Sequence, residues 1–308
     1  MDLSQSRNKP LALSPSLVVL AWVVTLFISD LPDILLRELT GNVPGWLFWS
    51  KVGLLLVLAA VSLAWQALRP LRDYLLILLV ILLASFGSVR LTNMKPWQNR
   101  FAAADAPFAL SMLGEQLRRL TVSLAVIAAF LLLRYRRDGF FLVKGQLDAT
   151  GAPIRWLGIT RPYSYRRFGP LAALCISLGL GVFLVIGGGL PHVSPGSVTL
   201  LTVAAVVLLA ATNAFNENMT YRAAPLATLE PAIGPSQAML LTAVLFGVGH
   251  FYGVPYGVVG VIMAAALGWI LNKAMLETGG FFWPWFIHFC QDALVFSFMA
   301  LGAIAAGG

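Results

Sequence analysis

From Phe168 to Asn216 the chain carries no Asp, Glu, Lys or Arg. A soluble domain has to solvate its surface, so an uncharged stretch of this length belongs in hydrocarbon, where every backbone group must be satisfied internally and helices are the simplest solution. A Gly187-Gly-Gly-Leu-Pro191 break falls in the middle of the stretch, which therefore reads as two membrane-spanning helices joined by a tight loop.

Other runs follow the same pattern. Pro10 to Ser29 is uncharged and can span a bilayer, and Val52 to Leu68, Tyr74 to Val89 and Leu120 to Leu133 reach spanning length with their flanks. Pro231 to Asn272 is a second double span, broken near Tyr252-Gly-Val-Pro255, and a last span begins at Phe281. The expected fold is an all-α polytopic transmembrane helical bundle of about eight to nine spans. Phe101 to Arg119 is apolar but interrupted by Asp105, Glu115, Arg118 and Arg119. With 59% hydrophobic and 11% charged residues, the composition excludes a soluble hydrolase or a nucleic-acid binder. The apolar part of the first segment is too long for a removed signal peptide and no small-residue cleavage site follows it, so it reads as a retained helix. Cys175 and Cys290 both lie in apolar spans, which argues against a disulfide framework.

The net charge of +8 is concentrated. Arg134 to Arg167 holds eight basic residues against Asp138 and Asp148, as expected of a cytoplasmic loop that can also meet anionic headgroups. Arg7, Lys9 and the Arg69/Arg72 turn fall on the same side, leaving Asp30, Asp33 and Glu38 outside. Three regions follow: 1–133, N-terminal transmembrane helices; 134–167, a basic cytoplasmic or interfacial loop; 168–308, a catalytic transmembrane core. The loop reads as a solvated connector resting on headgroups, with an interfacial hairpin or amphipathic helix as the alternative, because short apolar runs alternate with glycines.

Three polar clusters interrupt the last third: Glu217-Asn-Met-Thr-Tyr-Arg222, Phe246-Gly-Val-Gly-His250 and His288-Phe-Cys-Gln-Asp292. Ionisable groups are expensive in a membrane and mark functional sites there. Glu217 and Arg222, five apart, are roughly 140° apart around a helix and are not a facing pair. Glu217 is expected near a helix end, with Arg222 snorkelling or folding back on a carboxylate. His250 has no charged partner in its own apolar run, so its partner is sought on another helix. His288 and Asp292, at i and i+4, share a face of the last helix; the pair can orient an imidazole, bind a metal or satisfy two buried groups. Two carboxylates and two imidazoles on three spans suit either acid–base hydrolysis or a zinc site with an open position.

In order and spacing these clusters resemble the motifs of the CPBP membrane proteases, named for CAAX proteases and bacteriocin-processing enzymes and also labelled Abi or type II CAAX prenyl endopeptidases. The family's E-E-x-x-x-R, F-x-x-x-H and H-x-x-x-N or H-x-x-x-D look like Glu217…Arg222, Phe246…His250 and His288…Asp292, over about residues 198 to 300. The Leu-Glu-Thr-Gly-Gly280 ending and Pro284 resemble the family as well. The resemblance implies an intramembrane endopeptidase in which Glu217 and His250 activate a water, His288 and Asp292 stabilise the oxyanion, and Arg222 is structural. It departs at Asn218, where the family has a second glutamate. No cofactor is favoured; zinc on Glu217, His250 and His288 is the alternative, weakened by Asn218. The implied partners are the lipid bilayer and a membrane-associated peptide or protein, lipidated or not, with no nucleic acid, in a bacterial cytoplasmic membrane. Rival readings are a catalytically inactive membrane chaperone of the same fold and a transporter with a polar midplane site.

Overall fold

The computed structural model describes residues 14–194 and 196–307. Arg7 and Lys9, used above for orientation, and the first four residues of the Pro10–Ser29 run lie outside the described residues. Helices α1 (Pro15–Ile28), α2 (Leu31–Thr40), α3 (Trp46–Ala64), α4 (Arg72–Thr92), α5 (Lys95–Phe101) and α6 (Phe108–Leu132) come first. They are followed by strands β1 (Thr150–Gly151) and β2 (Tyr163–Ser164), then α7 (Tyr165–Gly188), α8 (Leu200–Asn218), α9 (Ala224–Ile233), α10 (Pro235–Val248), α11 (Gly257–Thr278) and α12 (Phe282–Gly307).

Every apolar run named above is occupied by a helix, and the structure is helical as expected. The span count is lower. Among the described residues six helices are long and apolar enough to cross a membrane, or seven if α1 and α2, bent by 48°, form one broken span. The difference from eight or nine has two physical causes. The 14 residues of α10 rise only about 21 Å, short of a hydrocarbon core of about 30 Å. Helix α6 has the length, but Glu115, Arg118 and Arg119 occupy its first half.

The chain divides into two compact units. The first comprises the residues up to Leu79 with Pro225–Trp269, and the second Val80–Ala224 with Ile270–Gly308. In the first unit the Tyr74 and Thr25 hydroxyls are hydrogen-bonded, Trp22 Nε1 donates to Gln237 Oε1 at 3.0 Å, and buried Lys51 pairs with Asp33 while donating to Ser29 O at 2.7 Å. In the second unit α12 packs on α8 and α7, and α6 on α8. Val206, Leu209 and Ala210 meet Phe296 and Ala300 in one apolar cluster. Polar ties reinforce it: Trp285 Nε1 donates to Ala211 O at 3.0 Å and Gln291 Nε2 to Ser177 Oγ at 3.0 Å. Without water as competitor, packing and such bonds hold membrane helices together.

The basic segment is more than a connector. Its strands pair antiparallel, Thr150 with Ser164 and Gly151 with Tyr163, so the segment contains a short hairpin. The segment is fastened to the α11–α12 turn: Gln146 N donates to Thr278 O at 2.8 Å, Phe281 N to Val143 O at 2.8 Å, and Trp283 Nε1 to Leu147 O at 2.9 Å. Glu277 accepts from Ala152 N at 2.9 Å and from Tyr165 Oη at 2.7 Å, and pairs with Lys273. Burial is the main reason the Tyr163 phenol is pushed up to about 12, so it is neutral at ordinary pH. Gly145, at φ +78°, lies so close to Gly280 that a Cβ on Gly280 would meet Gly145 backbone at 2.3 Å.

Backbone against backbone cannot yield as a side-chain tip does. Gly280→Ala should therefore lower the thermal midpoint in detergent, by an overpacking cost of about 1–3 kcal/mol. Gly53→Ala, with nothing within 4 Å of the added Cβ inside α3, should leave it equal or higher. Equal midpoints for wild type and Gly280→Ala would mean that the close approach is not a constraint.

Candidate active site

The first motif sits inside a helix rather than at its end. Helix α8 continues through a π turn at Met219–Ala223 into α9, making an unbroken helical run from Leu200 to Ile233, so Glu217 lies mid-run instead of near a terminus. π turns of this kind are frequent at functional sites because they re-aim side chains without ending the helix. Arg222 does not snorkel: it is fully buried, and its Nη1 donates to Asn218 Oδ1 four residues back.

Glu217 takes its cation from elsewhere. Oε1 accepts from Arg119 Nη1 of α6, and Arg119 is in turn held through Nε by Glu115 Oε1 at 2.8 Å. Arg119 Nη1 also donates to Asn213 Oδ1 at 3.1 Å, and Asn213 Nδ2 to Asp292 Oδ2 at 3.1 Å. His288 Nε2 stands 3.5 Å from Glu217 Oε2 and 3.6 Å from Asp292 Oδ1. Arg119, Glu217, His288, Asp292 and Asn213 thus form a closed ring of side chains from α6, α8 and α12. The side chains of Glu217, His288 and Asp292 are 10%, 4% and 13% exposed, so these three are largely buried. The imidazole contacts are longer than good hydrogen bonds, as catalytic contacts often are before substrate tightens them.

Of the residues singled out in the sequence, the second unit brings together Glu217, Asn218, Arg222, His288 and Asp292. His250 belongs to the first unit and is described there. Its Nδ1 lies 2.8 Å from Phe246 O, and its ring packs on Phe246 with centroids 4.3 Å apart. This partner is the carbonyl four residues back, near the end of α10. A carbonyl only accepts, so Nδ1 carries the proton and Nε2 of the neutral ring is the basic atom. The turn after His250 is braced by α2: the Tyr252 and Tyr256 hydroxyls donate to Glu38 Oε1 at 2.9 and 3.2 Å, and Arg37 lies over the Tyr252 ring.

Arg119, Asn213 and Gln116 were not anticipated. Gln116 Nε2 donates to Asn213 Oδ1 at 3.1 Å, and Ser123 Oγ donates to Asn216 O at 3.3 Å. The signal was present: Gln116, Arg119 and Ser123 recur at helical spacing on one face of α6, a polar stripe in an apolar helix. Among the described residues no group of three or more His, Cys, Asp and Glu can hold a metal ion, and Glu217 Oε1 is already engaged by a guanidinium.

Residues 199–294 match the family model described as type II CAAX prenyl endopeptidase Rce1-like. The match agrees with the motif resemblance to the CPBP proteases. It covers all three polar clusters and leaves α6, with Arg119, outside. No curated protein and no solved structure matches the chain.

The ring makes a quantitative claim about Arg119. In a thermal-unfolding cycle of Arg119→Gln, Glu217→Gln and the double variant, the two changes should be coupled by about 0.5–3 kcal/mol. Additive effects would show that the pair does not interact.

Proposed function

We propose that this protein is an intramembrane endopeptidase that hydrolyses a peptide bond of a membrane-associated peptide or protein. The reading is carried by the enclosed Glu217–His288–Asp292 arrangement lying within the stretch that matches an endopeptidase family. In this scheme Glu217 takes a proton from a water whose oxygen bonds to the scissile carbonyl carbon. The tetrahedral oxyanion is stabilised by His288 Nε2–H. Asp292, whose Oδ2 accepts from Asn213, faces His288 as an acceptor and orients it rather than donating to the oxyanion. The abstracted proton passes to the leaving amine as the C–N bond breaks, giving a carboxylic acid and an amine. Arg222, always protonated, takes no part as a base.

The substrate is reached from the bilayer, in a cytoplasmic membrane of bacterial type. The basic hairpin segment faces the cytoplasm, consistent with the excess of Lys and Arg there. A CAAX-type lipidated C-terminus is one substrate class that the family description supports.

The test compares peptide termini of the membrane proteome in cells producing wild type and Glu217→Gln. Termini present with wild type should vanish with the variant, a loss of general-base catalysis of about 10²–10⁴-fold. If both proteins are folded and abundant and the termini are identical, the inactive chaperone reading takes its place. Elemental analysis of protein purified without chelator should find substoichiometric zinc; one tightly held zinc per chain would overturn the metal-independent scheme.

A further inference from the structure

We infer that Asn218 is a positioning residue that sets the tautomer of His288, holding the neutral imidazole with its proton on Nε2. The inference deepens the proposed hydrolysis and, for its catalytic consequence, rests on that reading.

Asn218 is completely buried, so each of its polar atoms must find a partner. Arg222 has donors and no acceptor, so the atom facing its Nη1 has to be Oδ1. The other end, Nδ2, lies 2.6 Å from Ala214 O, an acceptor with nothing to donate. Turning the amide over would set NH2 against guanidinium and oxygen against oxygen, so only one orientation satisfies both neighbours. The second hydrogen of Nδ2 is then directed to His288 Nδ1, 3.4 Å away. Nδ1 receives a hydrogen bond and is therefore the lone-pair nitrogen of the neutral ring. Its proton is on Nε2, the atom that stands 3.5 Å from Glu217 Oε2 and 3.6 Å from Asp292 Oδ1. The contacts of the ring with Asn218, Glu217 and Asp292 agree with this one assignment.

The consequence is that the two histidines carry opposite tautomers. His250 has its proton on Nδ1 and a basic Nε2; His288 has the reverse. A neutral Nε2–H can donate to a developing oxyanion and cannot accept the proton of the attacking water, which leaves that task to Glu217. A carboxylate at position 218 would instead accept from Nδ1–H and place either a lone pair or an imidazolium toward Glu217 and Asp292.

The chain has three histidines, so the imidazole 15N spectrum of the full-length protein in detergent is simple enough to read. His192→Gln and His250→Gln assign the His288 signals by elimination. Wild type should show His288 Nε2 with a protonated-type shift and Nδ1 with an unprotonated-type shift at neutral pH. Asn218→Asp should move Nδ1 to the protonated type, whereas Asn218→Gln, if it keeps the donor, should preserve the wild-type pattern. A proton on Nδ1 in wild type overturns the inference without any variant having to fold, as does an unchanged Nδ1 in folded Asn218→Asp. The functional reading is scored separately: loss of the Glu217-dependent peptide termini in Asn218→Asp but not in Asn218→Gln supports the positioning role. If Glu217→Gln leaves all termini intact while the 15N pattern is as expected, the hydrolase reading fails and the tautomer assignment stands.

Discussion

The pairing of Arg119 with Glu217 is the interaction on which the site depends. A carboxylate inside a helical bundle pays a desolvation penalty of several kcal/mol, and one partner alone rarely compensates it. Here the compensation is distributed. Arg119 is held by Glu115 and shared with Asn213, while Glu217 is approached on its other oxygen by His288. Hydrogen bonds to charged groups contribute about 1.5–3 kcal/mol each, so a ring of them can hold a buried carboxylate in one geometry where a lone pair would not. Because the cation sits on α6, the packing of α6 against α8 is a condition of the site's chemistry and not only of its stability.

How far this was legible in the sequence varied with the range of the interactions. Apolar runs and i, i+4 spacing are local, and the helices and the His288–Asp292 contact follow from them. The π turn at Met219–Ala223 is local too but leaves no composition signal, so Glu217 was expected near a helix end that does not occur. Arg119 read as an interruption of a span because charge in an apolar helix counts against insertion. Its partner lies 98 residues away, and no periodicity reveals that. The basic segment was read from charge, whereas its attachment comes from backbone bonds to Thr278 and Phe281 and from the glycine contact at Gly145 and Gly280.

The first unit shows the same economy around His250. Its imidazole is fixed by the carbonyl of Phe246, and Phe246 is itself fixed by close approach to Gly268, where a Cβ would stand 3.1 Å from the phenyl ring. Glu38 holds the two tyrosines of the following turn, so a residue from the N-terminal helices, outside the matched segment, shapes the surroundings of the second motif. The N-terminal helices, which carry no diagnostic motif, therefore contribute to both histidine-bearing regions through different residues.

The departure at Asn218 and the acid at Asp292 make sense together. In the E-E and H-x-x-x-N form of the resembled motifs, a carboxylate occupies the position of Asn218 and an amide that of Asp292. In this chain the two are exchanged across the His288 ring: the amide donates on the Nδ1 side and the carboxylate lies on the Nε2 side. Two guanidinium groups, Arg119 and Arg222, accompany two carboxylates, Glu217 and Asp292, and the amide at 218 satisfies Arg222 without adding charge. Had only Asn218 changed, Arg222 would have lost a counter-charge with nothing gained elsewhere. With the amide at 218 donating to Nδ1, the imidazole can remain neutral with its proton on the side where a hydrogen-bond donor serves the reaction.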